Sequence, residues 1–212
     1  MQLIGLLDSP FVRRVAISLL TLRVPFEHEA ISVFRGFETF RGINPVVKAP
    51  TLRAHDGTVL MDSSLILQYV EASSHAGSLL PREPAALLGA LRAVGLSLAA
   101  CEKTAQIVYE RGLRPPEKRH QPWIDRVAGQ LRAAFSELES DVRSHPFDAS
   151  SSQALGQAGI SAAVAWFFTQ QMLPEVVAAA DHPSLVALSR AAEALPEFVA
   201  APHGEGTVAR GT

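Results

Sequence analysis

Three short stretches carry residues able to hold or activate a small molecule. Ser9-Pro10-Phe11 sets a hydroxyl where an apolar-periodic segment begins. Asn44-Pro45-Val46-Val47-Lys48-Ala49-Pro50-Thr51-Leu52 places a proline just ahead of a run of strand character, with a lysine two positions earlier. Met61-Asp62-Ser63-Ser64-Leu65-Ile66 opens a helical pattern with an acid and a hydroxyl. Backbone N–H groups at a helix start, joined by the Ser63 hydroxyl, suit a carboxylate. Asp62 beside them suits the ammonium of the same α-amino acid group. Proline cannot donate to a strand ladder, so Pro50 belongs at the first residue of a strand. With a cis Ala49–Pro50 bond, the Ala49 N–H and C=O turn outward, and a peptide ligand can pair with them as an extra strand. The three stretches outline one cleft for a small, anionic, peptide-like ligand. Each also has a plainer reading: Ser9 and Asp62-Ser63 as helix caps, Pro10 as a first-turn proline, and Pro50 as an ordinary strand-opening proline with a trans bond.

Other chemistry finds less support. No G-x-S-x-G surrounds Ser9, so a serine-hydrolase elbow is not expected. The single cysteine, Cys101, lies in an apolar stripe and reads as a buried structural thiol. One cysteine allows no intrachain disulfide and fits a reducing compartment. The seven histidines show no paired ligand spacing, so no metal site is expected. The chain has 212 residues, 48% hydrophobic and 19% charged, with net charge -2; this is globular and argues against a nucleic-acid or anionic-membrane surface. The N-terminus lacks a basic region before its short apolar run, so no signal peptide is expected. No stretch is expected to cross a bilayer. A cytoplasmic location is the expectation, and the preference for Arg and Ala suggests a bacterial source.

These residues need elements to position them. Leu3–Leu7 reads as a strand and Phe26–Ser32 as another. Between them Phe11, Val15 and Leu19, with Val12, Ala16 and Leu20, repeat at helical spacing, while Arg14, Ser18 and Thr21 line the other face. After an irregular or helical piece, Pro50–Ala54 and Thr58–Met61 read as strands joined at Asp56-Gly57, and Ser64–Glu71 as a helix. The crossover helix makes the first two strands parallel. Ser73–Pro84 is linker-like. Beyond it every pattern is helical: a stripe from Leu87 to Val108 stopped by Arg114-Pro115-Pro116, a second from Ile124 to Val142 stopped by His145-Pro146, a segment Gly159–Met172 apolar on nearly all sides, and Pro183–Ala194. The Gly-rich tail from Pro202 reads as unstructured. The fold expected is an α/β domain over 1–74, a linker over 75–84, and an all-α helical bundle over 85–212.

Ser9-Pro10-Phe11-Val12-Arg13-Arg14, Asn44-Pro45…Lys48-Ala49-Pro50 and Asp62-Ser63 together resemble the glutathione transferases, in particular their serine-type bacterial and tau-like members. The resemblance is specific over about Met1–Glu71; beyond that it rests on length and helix order. It implies a thioredoxin-like N-terminal domain followed by a helical C-terminal domain, in a homodimer, with glutathione as co-substrate and no metal. It further implies that Pro50 is cis, that Ala49 pairs with the cysteinyl backbone of glutathione, and that Asp62 and Ser63 hold its γ-glutamyl end. Lys48 would lie near the glycyl carboxylate, and Phe11 near the ligand. Phe11, Tyr109 and Trp166 are the expected acceptor-pocket residues. Ser9 would be catalytic by donating a hydrogen bond to the glutathione sulfur, stabilising thiolate over thiol. The reaction implied is addition of that thiolate to an electrophilic apolar small molecule, as in detoxification. A glutathione-dependent isomerase, dehalogenase or peroxidase, and a non-catalytic docking or binding module, stay open. Two departures stand out. Val47 replaces the glycine many relatives carry before the lysine, and Gly156 and Gly159 replace the capping box of the core helix in the second domain.

Overall fold

The computed structural model describes residues 1–73 and 77–209. Its first elements are β1 (Gln2–Ile4), α1 (Pro10–Thr21), β2 (Glu27–Glu29), α2 (Phe37–Ile43), β3 (Thr51–Arg53), β4 (Val59–Met61) and α3 (Ser63–Ser73). Then come α4 (Pro84–Leu113), α5 (Gln121–Ser144), α6 (Ser152–Met172), α7 (Pro183–Glu193) and α8 (Pro196–Ala200). The strands form one sheet in the order β2-β1-β3-β4; β1 and β2 are parallel, as the α1 crossover requires, and the other pairs are antiparallel. The β3–β4 turn closes where Asp56-Gly57 predicts: Ala54 N–H donates to Thr58 O at 2.9 Å, and Thr58 N–H to Asp56 Oδ1 at 2.9 Å.

Each strand is shorter than its apolar run. β1 stops at Ile4 because Gly5 takes φ 136°, and there its N–H still donates to Glu29 O at 3.0 Å. No other residue fits at this point: a Cβ would lie 2.7 Å from Val12 Cγ2 and 3.0 Å from Ala49 Cβ.

α1 departs from the amphipathic expectation. Val12, Val15, Ala16 and Leu19 are buried as the stripe predicts, but Arg13, Arg14 and Ser18 are buried too. The cause is tertiary packing on that face: α8, from the far end of the chain, covers Arg13, and α3 packs on α1 beside Arg14. Arg13 Nε donates to Ala201 O at 2.8 Å, and its guanidinium stands 5.7 Å from the Phe198 ring. The tail is not loose over its described part. Ala209 N–H donates to Ala200 O at 2.8 Å, Val208 N–H to His28 Nδ1 at 3.1 Å, and Glu205 pairs with Arg35 at 2.5 Å. Glycine content alone misread it because its partners are backbone groups and a distant histidine.

The chain divides into two compact units, Met1–Leu79 with Ala194–Thr212, and Leu80–Glu193. Of the boundaries expected from sequence, position 74, the linker start at 75–76 and the terminal 210–212 lie outside the described residues. In the second unit α4 packs on α5 and α6, and α7 on α5 and α6. α4 is, against expectation, long and apolar enough by length and composition to cross a membrane. Its buried residues, among them Ala93, Val94, Cys101 and Ile107, fall on the helical spacing of a bundle helix. α6 is the central helix, buried through Ala162, Ala163, Val164, Ala165 and Trp166.

The helix starts explain the glycines. Ser151 caps α6 by accepting from Ala154 N–H at 3.1 Å, and the helix then breaks at Gly156, with φ 60° and ψ -175°. That backbone region is essentially restricted to glycine. A serine or threonine there, as the capping box demands, would be strained, and Ser151 caps only the short turn that precedes the break. α7 is capped from outside: the buried Glu139 carboxylate accepts from Ser184 N–H at 3.0 Å and Leu185 N–H at 2.9 Å.

Candidate functional site

The sheet register gathers the three stretches. Ile4 pairs with Thr51, and Thr51 with Met61. The end of β1, the start of β3 and the end of β4 therefore share one edge of the sheet. The chain continues from that edge into Gly5–Ser9, arrives at it through Ala49-Pro50, and leaves it through Asp62-Ser63. Contacts tie the pieces: Gly5 abuts Ala49, and Arg14 Nη1, one turn into α1, donates to Ser63 Oγ at 2.9 Å.

Ser9 stands at the N-cap of α1 with φ -75° and ψ 121° and Pro10 next to it, yet its hydroxyl makes no capping hydrogen bond. Its N–H donates to Leu6 O at 3.2 Å and its carbonyl accepts from Arg13 at 2.9 Å. A capping-type side chain with an unused hydroxyl, at a helix N-terminus whose backbone donors carry partial positive charge, is arranged to donate to an anion. Beside it, partial burial raises the Asp8 carboxyl, and His203 of the tail draws it back down.

The Ala49–Pro50 bond is cis, and Pro50 precedes the first residue of β3. Sequence reading passed over Asn44, which proves central. Asn44 is buried; its Nδ2 donates to Thr51 Oγ1 at 2.9 Å and its Oδ1 accepts from Val46 N–H at 3.0 Å. Thr51 Oγ1 in turn donates to Lys48 O at 2.7 Å. One amide thus holds both ends of the Val46–Pro50 turn. Inside it Val47 sits at φ 52°, a left-handed conformation that disfavours a β-branched side chain and would suit the glycine expected there from the resemblance. Lys48 is exposed.

Asp62 takes φ 74°, and its Oδ1 accepts from Ser64 N–H at 2.9 Å, so it caps α3 with one oxygen and keeps the other available. Ser63 is buried; its oxygen accepts from Arg14, which leaves the hydroxyl proton to donate elsewhere. Arg14 carries no motif of its own. Only its burial beneath the site reveals its part, and the helical periodicity assigned it to a polar face.

The residues expected at an acceptor pocket do not form one group within either unit. Phe11 is half-buried in the first turn of α1, in the first unit. Tyr109 is 47% exposed on α4. Trp166 is buried in α6, its ring 5.3 Å from Phe135 edge-on and 5.3 Å from His182. Among the described residues no group of three or more His, Cys, Asp or Glu side chains is placed to hold a metal ion.

Comparison with known proteins bears on the same edge. Residues 3–77 match the glutathione S-transferase N-terminal domain. The uncharacterized GST-like protein YibF of Escherichia coli is 34% identical over 84 residues, covering 40% of this chain and 42% of that protein. The chain spans about two fifths of the length of the curated relatives it matches. Solved structures align over more. A glutathione transferase family member from Pseudomonas fluorescens, solved with bound glutathione, is 27% identical with a TM-score of 0.79, covering 94% of this chain and 97% of that one. A glutathione S-transferase from Methylobacterium radiotolerans, in complex with glutathione sulfonate, is 27% identical with a TM-score of 0.81, covering 93% and 92%.

Proposed function

The chain belongs to the glutathione S-transferase family, and we propose that it binds glutathione at the sheet edge formed by Ser9, Ala49, Pro50, Asp62 and Ser63 and adds its sulfur to an electrophilic apolar small molecule. Ser63 donates its hydroxyl proton to the γ-glutamyl carboxylate, and the second oxygen of Asp62 takes the adjacent ammonium. The Ala49 backbone pairs with the cysteinyl residue. Lys48 faces the glycyl carboxylate as a mobile cation. Phe11 offers apolar surface to the acceptor.

The observation that carries the reading is Ser9, a cap residue that does not cap. Its hydroxyl donates to the glutathione sulfur, and because the bond to thiolate is stronger than that to thiol, the S–H proton leaves to solvent more readily. The thiolate then forms the new S–C bond as the acceptor expels its leaving group, or as the acceptor's double bond opens and the resulting carbanion takes a proton from solvent. Ser9 is thus a hydrogen-bond donor throughout and forms no covalent intermediate. Exposed Leu65 and Tyr69 on α3, and exposed Leu88 and Leu91 on α4, give each unit an uncovered apolar face, which supports a homodimer. The buried lone thiol Cys101 suits a reducing cytoplasm.

Titration calorimetry with glutathione, paired with turnover of an activated aryl halide, tests the reading. Saturable binding at micromolar to low millimolar glutathione with turnover supports it. Absence of heat at millimolar glutathione refutes it.

A further inference from the structure

His28 is the middle residue of β2, half-buried, and it is hydrogen-bonded on both ring nitrogens. Val208 N–H, from the C-terminal tail, reaches Nδ1 at 3.1 Å, and Nε2 lies 2.8 Å from Gly5 O. A backbone N–H donates only to a lone pair, so Nδ1 is unprotonated. Nε2 therefore carries the hydrogen and gives it to the Gly5 carbonyl. Both bonds together admit one state of the ring, the neutral Nε2–H tautomer. Gly5 is the residue through which the loop to Ser9 leaves the sheet. It also touches Ala49, at a separation that leaves no space for a side chain between them. A line of direct contacts thus runs from the tail through His28 and Gly5 to both the serine loop and the Ala49-Pro50 turn.

Resting on the glutathione-binding reading above, we propose that His28 is a positioning residue for the glutathione site, and that the C-terminal strap Pro202–Ala209 keeps it in the tautomer that does this. The strap's single amide at Val208 occupies Nδ1, which frees Nε2–H to hold Gly5. Gly5 in turn sets where Ser9 and Ala49 meet the ligand. Burial pushes the ring's pKa below the ordinary imidazole value, opposed by the bond to Gly5. The ionisable groups on the surrounding elements are Asp8 on the loop, Arg23 just after α1, Glu27 and Glu29 on β2, Arg35 before α2, and His203 and Glu205 on the strap. None of these is a cause of the shift. His28 borders a cavity of about 400 Å³ with Leu20, Phe26, Thr207 and Val208. A proton on Nδ1 ejects the Val208 N–H. Since the folded pKa is depressed, the latch is whole above the unfolded imidazole value of ~6.5 and is lost as pH falls through the folded one.

The test measures glutathione dissociation constants by calorimetry from pH 5 to pH 8 on the full chain and on His28→Phe, His28→Gln and Val208→Pro, with thermal melts of each. His28→Phe removes both bonds at similar volume, and Val208→Pro removes only the donor. His28→Gln retains one donor and one acceptor but does not titrate. The expected result is a roughly 2–10-fold weakening in His28→Phe and Val208→Pro, the factor for one hydrogen bond. His28→Gln should bind near the wild-type level at pH 7.5 and lack the weakening that wild type shows on the acid side. Equal affinity and equal pH profiles in wild type and His28→Phe would overturn the proposal while leaving glutathione binding intact. Equal losses in His28→Phe and His28→Gln, in step with their melting points, would overturn it in favour of simple packing. No binding by wild type would overturn the functional reading itself, and this proposal with it.

Discussion

Replacing Ser9 by alanine removes one hydroxyl and, because that hydroxyl caps nothing, should leave α1 intact. Its effect is therefore expected on the bound thiol alone. A hydrogen bond to a charged group contributes about 1.5–3 kcal/mol net. At 1.36 kcal/mol per pK unit this is about 1.1–2.2 units, enough to bring a thiol from ~8.5 to roughly 6.3–7.4. At pH 6.5 the thiolate share of bound glutathione then falls from roughly 10–60% in wild type to about 1% in Ser9→Ala. Above pH 9 the two should differ less than twofold. The assay is a pH titration of the thiolate ultraviolet absorbance of enzyme-bound glutathione, checked against the acid limb of kcat/KM. The rate should fall by less than the thiolate share, because a less basic thiolate attacks less readily. The melting temperature, and glutathione affinity at about pH 5.5 where the ligand binds as thiol, should stay within error of wild type, whereas at about pH 9 Ser9→Ala should bind roughly 10–100-fold more weakly, the loss of the bond to thiolate. A Ser9→Ala enzyme with an unmoved titration midpoint, or one whose activity loss is the same at every pH, would refute the thiolate argument.

Three stability predictions follow from backbone and capping geometry. Val47→Gly relieves a left-handed conformation costing about 1–2 kcal/mol for an L-residue, offset by about 0.5–1 kcal/mol of added chain entropy; the melting point should rise by about 1–3 °C, and a fall would contradict it. Gly156→Ala should cost about 1–3 kcal/mol in denaturant melts because of its φ of 60°, whereas Gly129→Ala, in open space on α5, should stabilise by about 0.5–1 kcal/mol; the same sign for both would sink the argument. Glu139→Ala strips the two acceptors from the start of α7 and should destabilise by about 2–4 kcal/mol, measured by urea unfolding, with a loss under 1 kcal/mol counting against the cap.

What the sequence made readable was local. Pro50, Asp62-Ser63 and Pro10 mark element boundaries, and boundaries are governed by φ restriction and capping chemistry, which act within a few residues. The parallel β1–β2 pair followed from a crossover helix for the same reason. The burial of Arg13 and Arg14 was not readable, because the groups that satisfy Arg13 lie 185–188 residues away on α8 and its exit. Asn44 was in plain view beside Pro45, but its hydrogen bonds to Thr51 and Val46 exist only once the turn is folded. His28 shows the same limit: a histidine in a short polar strand looks solvated until the tail arrives over it. Local punctuation can place a site's backbone, while the side chains that brace it depend on contacts with no sequence period.

The helix starts of this chain separate two uses of the same residue types. Glu83 caps α4 by accepting from Ala85 and Ala86, Ser151 caps α6, and Glu139 caps α7 from a neighbouring helix. A cap of this kind contributes about 1 kcal/mol. At α1, Ser9 has the residue type and the extended backbone of a cap and forgoes the bond, while Pro10 removes one of the donors that would otherwise need an acceptor. Asp62 divides its carboxylate, one oxygen capping α3 and the other left open. α2, α5 and α8 also start without a side-chain cap, but Ser9 and Asp62, which keep a capping-type oxygen to spare, stand at helix starts on the β1/β3/β4 edge of the sheet. There an anionic ligand would recover what the fold forgoes, so glutathione should raise the melting temperature of wild type more than that of Ser63→Ala, in which the carboxylate donor is missing.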